Sequence, residues 1–464
     1  MGSPRIKIGE CRTDLVAPPG EGDVVFGYYF NLALRSLQRN MVFTALMIIA
    51  IGVGIGASMT MLTILRAASD DPIPQKSAQL FALQIDNFGP QWDAAVQYPG
   101  LLPPDLTYFD ATGLTRAHAA IRQAAMYPTL LSITPPGPTQ IPFQVDARAT
   151  DSDFFPMFDV PFKYGGPWAR TEDDDHASVV VLTRALNELL FGGANSVDKT
   201  LTVGAKTYRI IGVLDEWHPS PRFYDVGGHG QTFSGDDQLF LPFTRAIDEQ
   251  MPTDSTLNCD RARGAGWDGL LHSNCIWLRY WVELPTARDA AKYNTFLHNY
   301  AAEQRQTGRF HWPPHVALRN VTQWLSYNQV IPPAVHTLTS VSFALLLVCV
   351  LNAVGLMLAN FMARSGVICV RRALGATRRA IFAQFMIEAG VIGLVGGFVG
   401  IGLTTLGLMS CRVVLQGDLS VLARLHGSDV LIALAVALVA TLLAGLYPTW
   451  RALQVQPALQ LKTL

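Results

Sequence analysis

Four uninterrupted apolar runs divide the chain. They cover residues 41–65, 337–363, 381–410 and 430–450, and together they contain a single charged residue, Glu388. Each run reaches the roughly 20 apolar residues that a helix needs to cross a bilayer. The pattern predicts transmembrane helices at 41–65, 335–363, 380–410 and 430–450. The first is expected to be a retained anchor, because it is longer than the roughly 7–15 apolar residues of a signal peptide.

Between the first and second runs the pattern changes to short alternating segments. Apolar strands are predicted at 178–182, 200–203, 207–213, 276–284 and 315–321. Thr183 and Thr286 are expected to cap helices, the first with Leu186, Leu189 and Leu190 on its apolar face. The second helix is expected to bury Ala290, Tyr293, Leu297 and Tyr300. Residues 66–334 therefore form a large α+β domain, inserted between helices 1 and 2, with two βαβ-type lobes.

Arginine and lysine are distributed unevenly around the four runs. Five arginines and no acid lie between the second and third runs, at Arg364, Arg371, Arg372, Arg378 and Arg379. Arg35 and Arg39 precede the first run, and Arg451 and Lys462 follow the fourth. Loops rich in these residues stay cytoplasmic. The sequence therefore predicts a cytoplasmic N-terminus (1–40), loop (364–379) and tail (451–464), and places 66–334 and the short loop 411–429 in the periplasm of an inner-membrane protein.

Just before the first run, apolar residues recur at helical spacing over positions 26–41, with Arg35 and Arg39 elsewhere around the helix. This pattern favours an amphipathic helix in contact with membrane lipid at the inner surface. The alternative is the cytoplasmic end of the first membrane helix.

The composition supports a membrane protein with a large water-exposed part. Of 464 residues, 50% are hydrophobic and 15% are charged, and the mean hydropathy is +0.24. The net charge of −1 gives no support for a nucleic-acid partner. Cys259 and Cys275 both fall in the predicted periplasmic segment, where a disulfide could persist. Their spacing alone leaves a pair and two free thiols equally open.

The sequence shows no motif for catalysis. It lacks the glycine-rich loop with Lys-Ser/Thr that holds nucleotide phosphates, the Gly-x-Ser-x-Gly elbow and the His-Glu-x-x-His zinc motif. We therefore expect no catalytic residue, no metal site and no directly bound cofactor.

Two of the membrane runs contain glycines at packing spacing. Gly52 and Gly56 form one such pair, and the third run carries Gly393, Gly396, Gly397 and Gly400. Small residues four apart let helices approach closely in lipid. We expect these six glycines to lie at tight helix–helix contacts, within this chain or with a partner.

The stretch "RRALGATRR" (371–379) predicts an elbow. Residues 367–374 can form a short helix, which Gly375 can end as a left-handed residue. Thr377 can then cap the helix that enters the membrane.

Two long segments resemble FtsX/MacB-type ABC transporter permeases. The first is "VRRALGATRRAIFAQFMIEAGVIGLVGGFVGIGLTTLG" (370–407), and the second is the closing "AGLYPTWRALQVQPALQLK" (444–462). The stretches 151–166 and 178–213 are similar to the MacB-type periplasmic core domain. Members have four membrane helices, a large loop after the first, and no catalytic activity of their own.

The resemblance implies a mechanism and partners. It implies that the short helix before the corner, which we call the short arm of the elbow, couples the permease to an ATPase. The coupling residues would be Val370, Arg371, Arg372, Ala373, Leu374, Gly375 and Ala376. ATP and Mg would bind to a separate ABC ATPase subunit, and a second permease chain, a periplasmic adaptor and an outer-membrane channel are expected partners. The leading function is efflux by mechanotransmission, with peptides, macrolide-like compounds or siderophores as cargo. The alternatives are release of lipoproteins and non-transporting regulation of a periplasmic enzyme.

One position departs from the family pattern. Members usually carry an acid shortly before "RALGA", where this chain has Gly366, Val367, Ile368 and Cys369. One hypothesis is that the chain forms one half of an unequal pair with a paralogue that keeps the acid. A homodimer is the other arrangement.

Overall fold

A computed structural model describes residues 41–89, 101–137, 141–226, 232–233, 235–363, 366, 370–372, 374–414 and 427–453. Outside these residues lie positions 26–40 of the predicted interfacial helix and positions 367–369 and 373 of the predicted short helix. Most of the loop 411–429 and of the tail 451–464 also lies outside them. The chain divides into two compact units. We call residues Arg66–Pro333 and Val414–Leu422 the sheet unit, and Met1–Leu65, Ala334–Val413 and Ala423–Leu464 the helical unit.

Within the described part of the helical unit, four long helices have the length and composition to cross a membrane. They are α1 (Met41–Ser69), α10 (Pro333–Ala363), α11 (Arg378–Val414) and α12 (Gly427–Leu453). Each is longer than the apolar run that predicted it, because the hydrogen-bonded backbone continues into polar residues at the ends. Their shared core includes Met47, Ile51, Ile55, Ala353, Phe385 and Ala437.

Among the residues that the structure describes, eight shorter helices belong to the sheet unit. They are α2 (Tyr108–Ala117), α3 (Phe154–Met157), α4 (Arg170–Asp174), α5 (Arg184–Phe191), α6 (Phe243–Asp248), α7 (Gly266–Leu271), α8 (Ala287–Gln306) and α9 (Val321–Tyr327). Thr183 caps α5 by accepting a hydrogen bond from the Leu186 backbone, and Thr286 caps α8 in the same way. Both caps satisfy backbone N–H groups that a helix start leaves unpaired, as the sequence predicted.

One sheet of 11 strands forms the centre of this unit. The strands are β1 (Leu80–Ile85), β2 (Leu106–Thr107), β3 (Arg122–Thr134), β4 (Phe143–Thr150), β5 (Phe162–Gly165), β6 (Val179–Leu182), β7 (Thr200–Val203), β8 (Lys206–Leu214), β9 (Leu239–Pro242), β10 (Ile276–Glu283) and β11 (Val316–Asn320). Their order is β11-β1-β10-β3-β4-β9-β6-β8-β5, with β2 on β10 and β7 on β3 and β8.

Both predicted strand–helix–strand units are present. Strands β6 and β8 pair in parallel, with α5 and the hairpin strand β7 between them in the chain. Strands β10 and β11 both pair antiparallel with β1, so they run parallel to each other on its two sides. Both strand–helix–strand units belong to the same 11-stranded sheet. Their division into two lobes stays a prediction.

The sheet is covered on both faces. One face carries a core that includes Tyr127, Val180, Leu241, Tyr280 and Leu297, under α2, α5, α6, α7 and α8. The other face carries Met126, Phe154, Phe240, Trp281 and Trp324, under α3, α9 and the segment around Phe223. All eight residues of β10 are consequently buried, including Arg279 and Glu283.

One predicted apolar face is wrong in part. Leu189 of α5 is exposed, whereas Leu186 is buried and Leu190 is half-buried. Asn187 is buried instead, because its amide oxygen accepts a hydrogen bond from Ser196 and its amide nitrogen donates to the Ala194 carbonyl. A satisfied polar side chain replaces an apolar contact at this point of the helix.

Candidate functional site

The elbow before α11 is built from backbone hydrogen bonds. Gly375 N donates to Arg372 O and Ala376 N to Arg371 O, each at 3.1 Å. This paired arrangement ends a helix around a left-handed residue, and Gly375 has φ +98°. Two residues later, the Thr377 hydroxyl accepts a hydrogen bond from Ala380 N at 3.2 Å. The chain therefore stops one helix and starts the next within a two-residue corner.

The side chains of the elbow point in two directions. Val370 is 59% exposed and Leu374 is 81% exposed, and they lie one helical turn apart on the same face. Ala376 packs against the core of the helical unit. Arg371 is half-buried, and its Nη1 donates to Oε1 of Gln384 on α11 at 2.9 Å. One face of the elbow is thus apolar and open, and the other is bonded to the membrane helix.

The glycines of α1 face two glycines of α11. A Cβ added at Gly52 would lie 2.8 Å from Val399 and 3.4 Å from the Gly396 carbonyl. One added at Gly56 would lie 2.7 Å from Leu403 and 3.4 Å from the Gly400 carbonyl. The distances of 2.8 and 2.7 Å are shorter than real Cβ atoms tolerate. The two helices can therefore approach this closely only because positions 52 and 56 carry no side chain.

The other two predicted glycines of α11, Gly393 and Gly397, face α12. A Cβ at Gly393 would lie 2.0 Å from Thr441 Oγ1, and one at Gly397 would lie 3.0 Å from Ala437. The six glycines therefore form two contact lines on α11, both within this chain. Hydroxyl groups beside them donate to helix carbonyls, as Thr404 does to Gly400 O at 2.9 Å and Thr441 to Ala437 O at 2.8 Å.

Cys259 and Cys275 form a disulfide bond in the sheet unit. Next to it, the backbones of Asn258 and Ile276 exchange two hydrogen bonds, so the bond closes a loop at the entrance of β10. Trp267 of this loop packs on Trp277, with ring centroids 6.0 Å apart. The sequence identified the cysteines but left the pairing open.

A network of buried charges holds Asp225 and Asp237 against the sheet. Arg148 of β4 contacts Asp237 and Asp225, each at 2.6 Å. Arg279 of β10 contacts Asp105 at 2.6 Å and Asp225 at 3.5 Å. Asp225 therefore joins two arginines that belong to strands on either side of β3. Sequence reasoning missed this network, and the only signal for it was a charge within an otherwise apolar strand.

Burial and charge compete at these carboxyl groups. Burial raises the pKa of Asp225, but Arg148, Arg279 and Arg222 outweigh it and hold the pKa well below its usual range. At Asp105 the effect of burial exceeds the opposing effect of the Arg279 charge, so the pKa of Asp105 is raised. Burial also raises the pKa of Asp173 to about 6, although hydrogen bonds from Ser152 and Trp168 oppose it.

Among the described residues, no group of three or more His, Cys, Asp or Glu side chains could hold a metal ion.

Two protein families match this chain. The family described as "MacB-like periplasmic core domain" matches residues 44–291, which is more than half of the chain. The family described as "FtsX-like permease C-terminal" matches residues 339–457, which include most of α10, the elbow, α11 and α12. The chain belongs to the FtsX/MacB-type family of ABC transporter permeases. The resemblance seen in the sequence is confirmed, as are the four membrane-type helices and the mixed α/β domain.

Similar proteins share the name MacB. The macrolide export ATP-binding/permease protein of Marinobacter nauticus is 24% identical over 436 residues, which cover 92% of this chain and 59% of the relative. That of Rhodospirillum rubrum is 25% identical and covers 94% of this chain and 60% of the relative. The chain thus spans about three-fifths of these relatives. The solved periplasmic region of MacB from Actinobacillus actinomycetemcomitans is 13% identical, with a TM-score of 0.33, and covers 54% of this chain and 92% of its own.

Proposed function

We propose that this chain is the transmembrane permease subunit of an ABC efflux system that works by mechanotransmission. A separate ABC ATPase, which binds ATP and Mg, docks on the elbow. Closure of the ATPase is passed through the membrane helices to the sheet unit. The observation that carries this proposal is the elbow itself, which presents Val370 and Leu374 beside a membrane helix with an open apolar face. The family assignment supports it.

We propose an inner-membrane protein with both termini and the elbow in the cytoplasm. Five arginines between α10 and the start of α11 favour that side. The sheet unit then lies in the periplasm, and the disulfide within it supports an oxidising compartment. In this arrangement the sheet unit is the part that meets cargo, adaptor and outer-membrane channel.

The cargo we propose is a peptide, a macrolide-like compound or a siderophore taken from the periplasm. The relatives named for macrolide export and ATP binding support this class and the need for an ATPase. The chain works as a pair, either with a second copy or with a paralogue that carries the family's acid near the elbow.

The proposal is tested by purifying the tagged full chain from native membranes in mild detergent. We expect an ABC ATPase polypeptide in the complex by mass spectrometry, and a lower ATPase content when Leu374→Asp is introduced. Arg379→Ala, an exposed position in the same segment, is the matched control and should leave the content unchanged. A complex without any ABC ATPase would refute the permease function.

The composition of the same complex separates the alternatives. An adaptor and an outer-membrane channel favour efflux, and a lipoprotein chaperone favours lipoprotein release. A cell-wall hydrolase in their place favours regulation. Two copies of this chain with no paralogue would exclude the unequal pair.

A further inference from the structure

The arginines of the elbow differ in their surroundings. Arg378 and Arg379 are exposed, whereas Arg371 is half-buried and directed at α11. Its Nη1 donates to Gln384 Oε1 at 2.9 Å, across 13 positions of the chain. An arginine engaged in this way is not part of the open surface. The dense positive charge of the segment therefore does not act as one docking patch.

The partner of Arg371 lies nearly two turns inside α11. Gln384 is half-buried, next to Phe385, whose ring packs against Phe361 of α10 with centroids 4.1 Å apart and an angle of 36° between the ring planes. The hydrogen bond therefore ends at a part of the bundle that is itself packed. A hydrogen bond to a charged donor is stronger than one between neutral groups. The elbow is fixed to α11 both through the corner at Gly375–Thr377 and through this side-chain bond.

We infer that Arg371 and Gln384 form a bracket that makes the elbow and α11 move as one body. Arg371 is a positioning residue, and contact with the partner is left to the exposed Val370 and Leu374. This inference rests on the proposed docking of an ATPase at the elbow. It changes the role that the sequence gives to Arg371, from a docking residue to a residue that transmits displacement into the membrane helix.

The geometry explains why a bracket is needed. The two-residue corner contains Gly375 at positive φ, and the wide conformational range of glycine would let the short helix before it rotate if only the corner held it. A push on Leu374 would then be absorbed at the corner. The bond from Arg371 to Gln384 spans the corner from the opposite side and closes a small loop of backbone and side chains. A push on the exposed face is passed to α11 instead.

Hydrogen exchange of the full chain in nanodiscs tests the bracket without any ATPase. The reporters are the amides of Leu374, Gly375 and Ala376, which donate to Val370, Arg372 and Arg371 carbonyls. We expect Gln384→Ala to speed their exchange about tenfold or more, given the strength of charged hydrogen bonds. Gln384→Glu keeps an acceptor and should preserve protection. Arg379→Ala removes an exposed arginine and should have no effect.

The native complex with its co-purifying ATPase tests transmission. We expect Gln384→Ala and Arg371→Ala to retain the ATPase at wild-type stoichiometry, while the permease-dependent part of the ATPase rate falls about tenfold. Gln384→Glu should restore that rate, and Arg371→Lys should restore it in part. Leu374→Asp should instead lower the amount of bound ATPase.

The outcomes are separable. Wild-type exchange in Gln384→Ala overturns the bracket. Loss of the ATPase from Gln384→Ala or Arg371→Ala, at the level of Leu374→Asp, also overturns it, since Arg371 would then be a docking residue. Faster exchange with an unchanged ATPase rate overturns the transmission role. A complex without an ATPase refutes the proposed function and the transmission role with it, whatever the exchange result.

Discussion

Large side chains and buried charges fill the sheet unit, whereas small residues make the contacts of the helical unit. Trp168, Trp277, Trp281 and Trp324 are all buried in the sheet unit, which also contains the buried network of Arg148, Arg279 and three aspartates. In the helical unit, Gly52, Gly56, Gly396 and Gly400 let backbones touch. Water drives apolar area into the first interior, but lipid offers no such drive, so close approach and hydroxyl-to-carbonyl bonds replace it.

The two units should therefore lose stability in different ways. An interior of large groups loses stability when a group is removed, because a cavity or an unpaired charge remains. An interior of small groups loses stability when a group is added. Substitutions in each unit test this contrast.

Removing one buried arginine should be the most damaging change. Arg148→Met leaves Asp225 and Asp237 without their shortest ionic contacts, and an uncompensated buried charge costs about 3–5 kcal/mol. A urea titration followed by tryptophan fluorescence measures the loss in the full chain. Arg209→Met is the control, because Arg209 is half exposed and its contacts to Glu172 and Asp198 are 3.4 Å long. A surface pair of this kind contributes about 0–1 kcal/mol. Equal losses in the two variants would contradict the role of the network.

The pH dependence of the sheet unit should include Asp173. Its folded-state pKa is raised from 3.8 to about 6, so the folded state binds the proton more tightly than the unfolded state. The free energy of unfolding should therefore fall as the pH rises from about 4 to about 6, by up to about 3 kcal/mol from this group. Asp173→Asn, which does not titrate, should lose that part of the pH dependence.

Urea midpoints at pH 4.5 and pH 7 measure this slope. Asp174→Asn is the matched control, since Asp174 is the exposed neighbour of Asp173 in α4. It should keep the wild-type difference between the two midpoints. An unchanged slope in Asp173→Asn would show that other carboxyl groups set the pH dependence.

Adding a single methyl group should destabilise the helical unit. The Cβ of Gly393→Ala would lie 2.0 Å from Thr441 Oγ1, so α11 and α12 must move apart. Overpacking of this kind costs about 1–3 kcal/mol. Gly402→Ala in the same helix meets nothing within 4 Å and should be neutral or slightly stabilising. Thermal unfolding in nanodiscs should separate the two variants, and a shared midpoint would argue against close packing at Gly393.

Local chemistry let the sequence predict much of this architecture. The four membrane helices follow from apolar length, and Thr183, Thr286 and Thr377 cap helices because hydroxyls accept from free N–H groups nearby. The corner at Gly375 could also be predicted from the sequence, because a helix end at positive φ favours glycine. The two strand–helix–strand units followed from periodicity. In each case the pattern that supports the prediction lies within one short stretch of the chain.

The rest depends on contacts between distant positions. Asp105, Arg148, Asp225 and Arg279 meet only because β4 and β10 flank β3, and no local pattern gives that order. The bond between Arg371 and Gln384 depends on the direction of the elbow, which a helix-stop signal does not specify. The helical spacing predicted that Leu189 is buried, but the structure buries Asn187 instead. Asn187 accepts a hydrogen bond from Ser196 in the loop before β7, and the spacing of apolar residues does not show this contact.

The two contact lines on α11 make it the common neighbour of α1 and α12. Positions 393 and 396 lie about 60° apart around the helix, as 3.6 residues per turn dictates. Turning α11 about its own axis would therefore drive branched side chains into one neighbour and pull glycines from the other. Sliding or tilting α11 together with its neighbours keeps both lines in contact. The glycine contacts therefore favour sliding or tilting of α11 over rotation about its own axis.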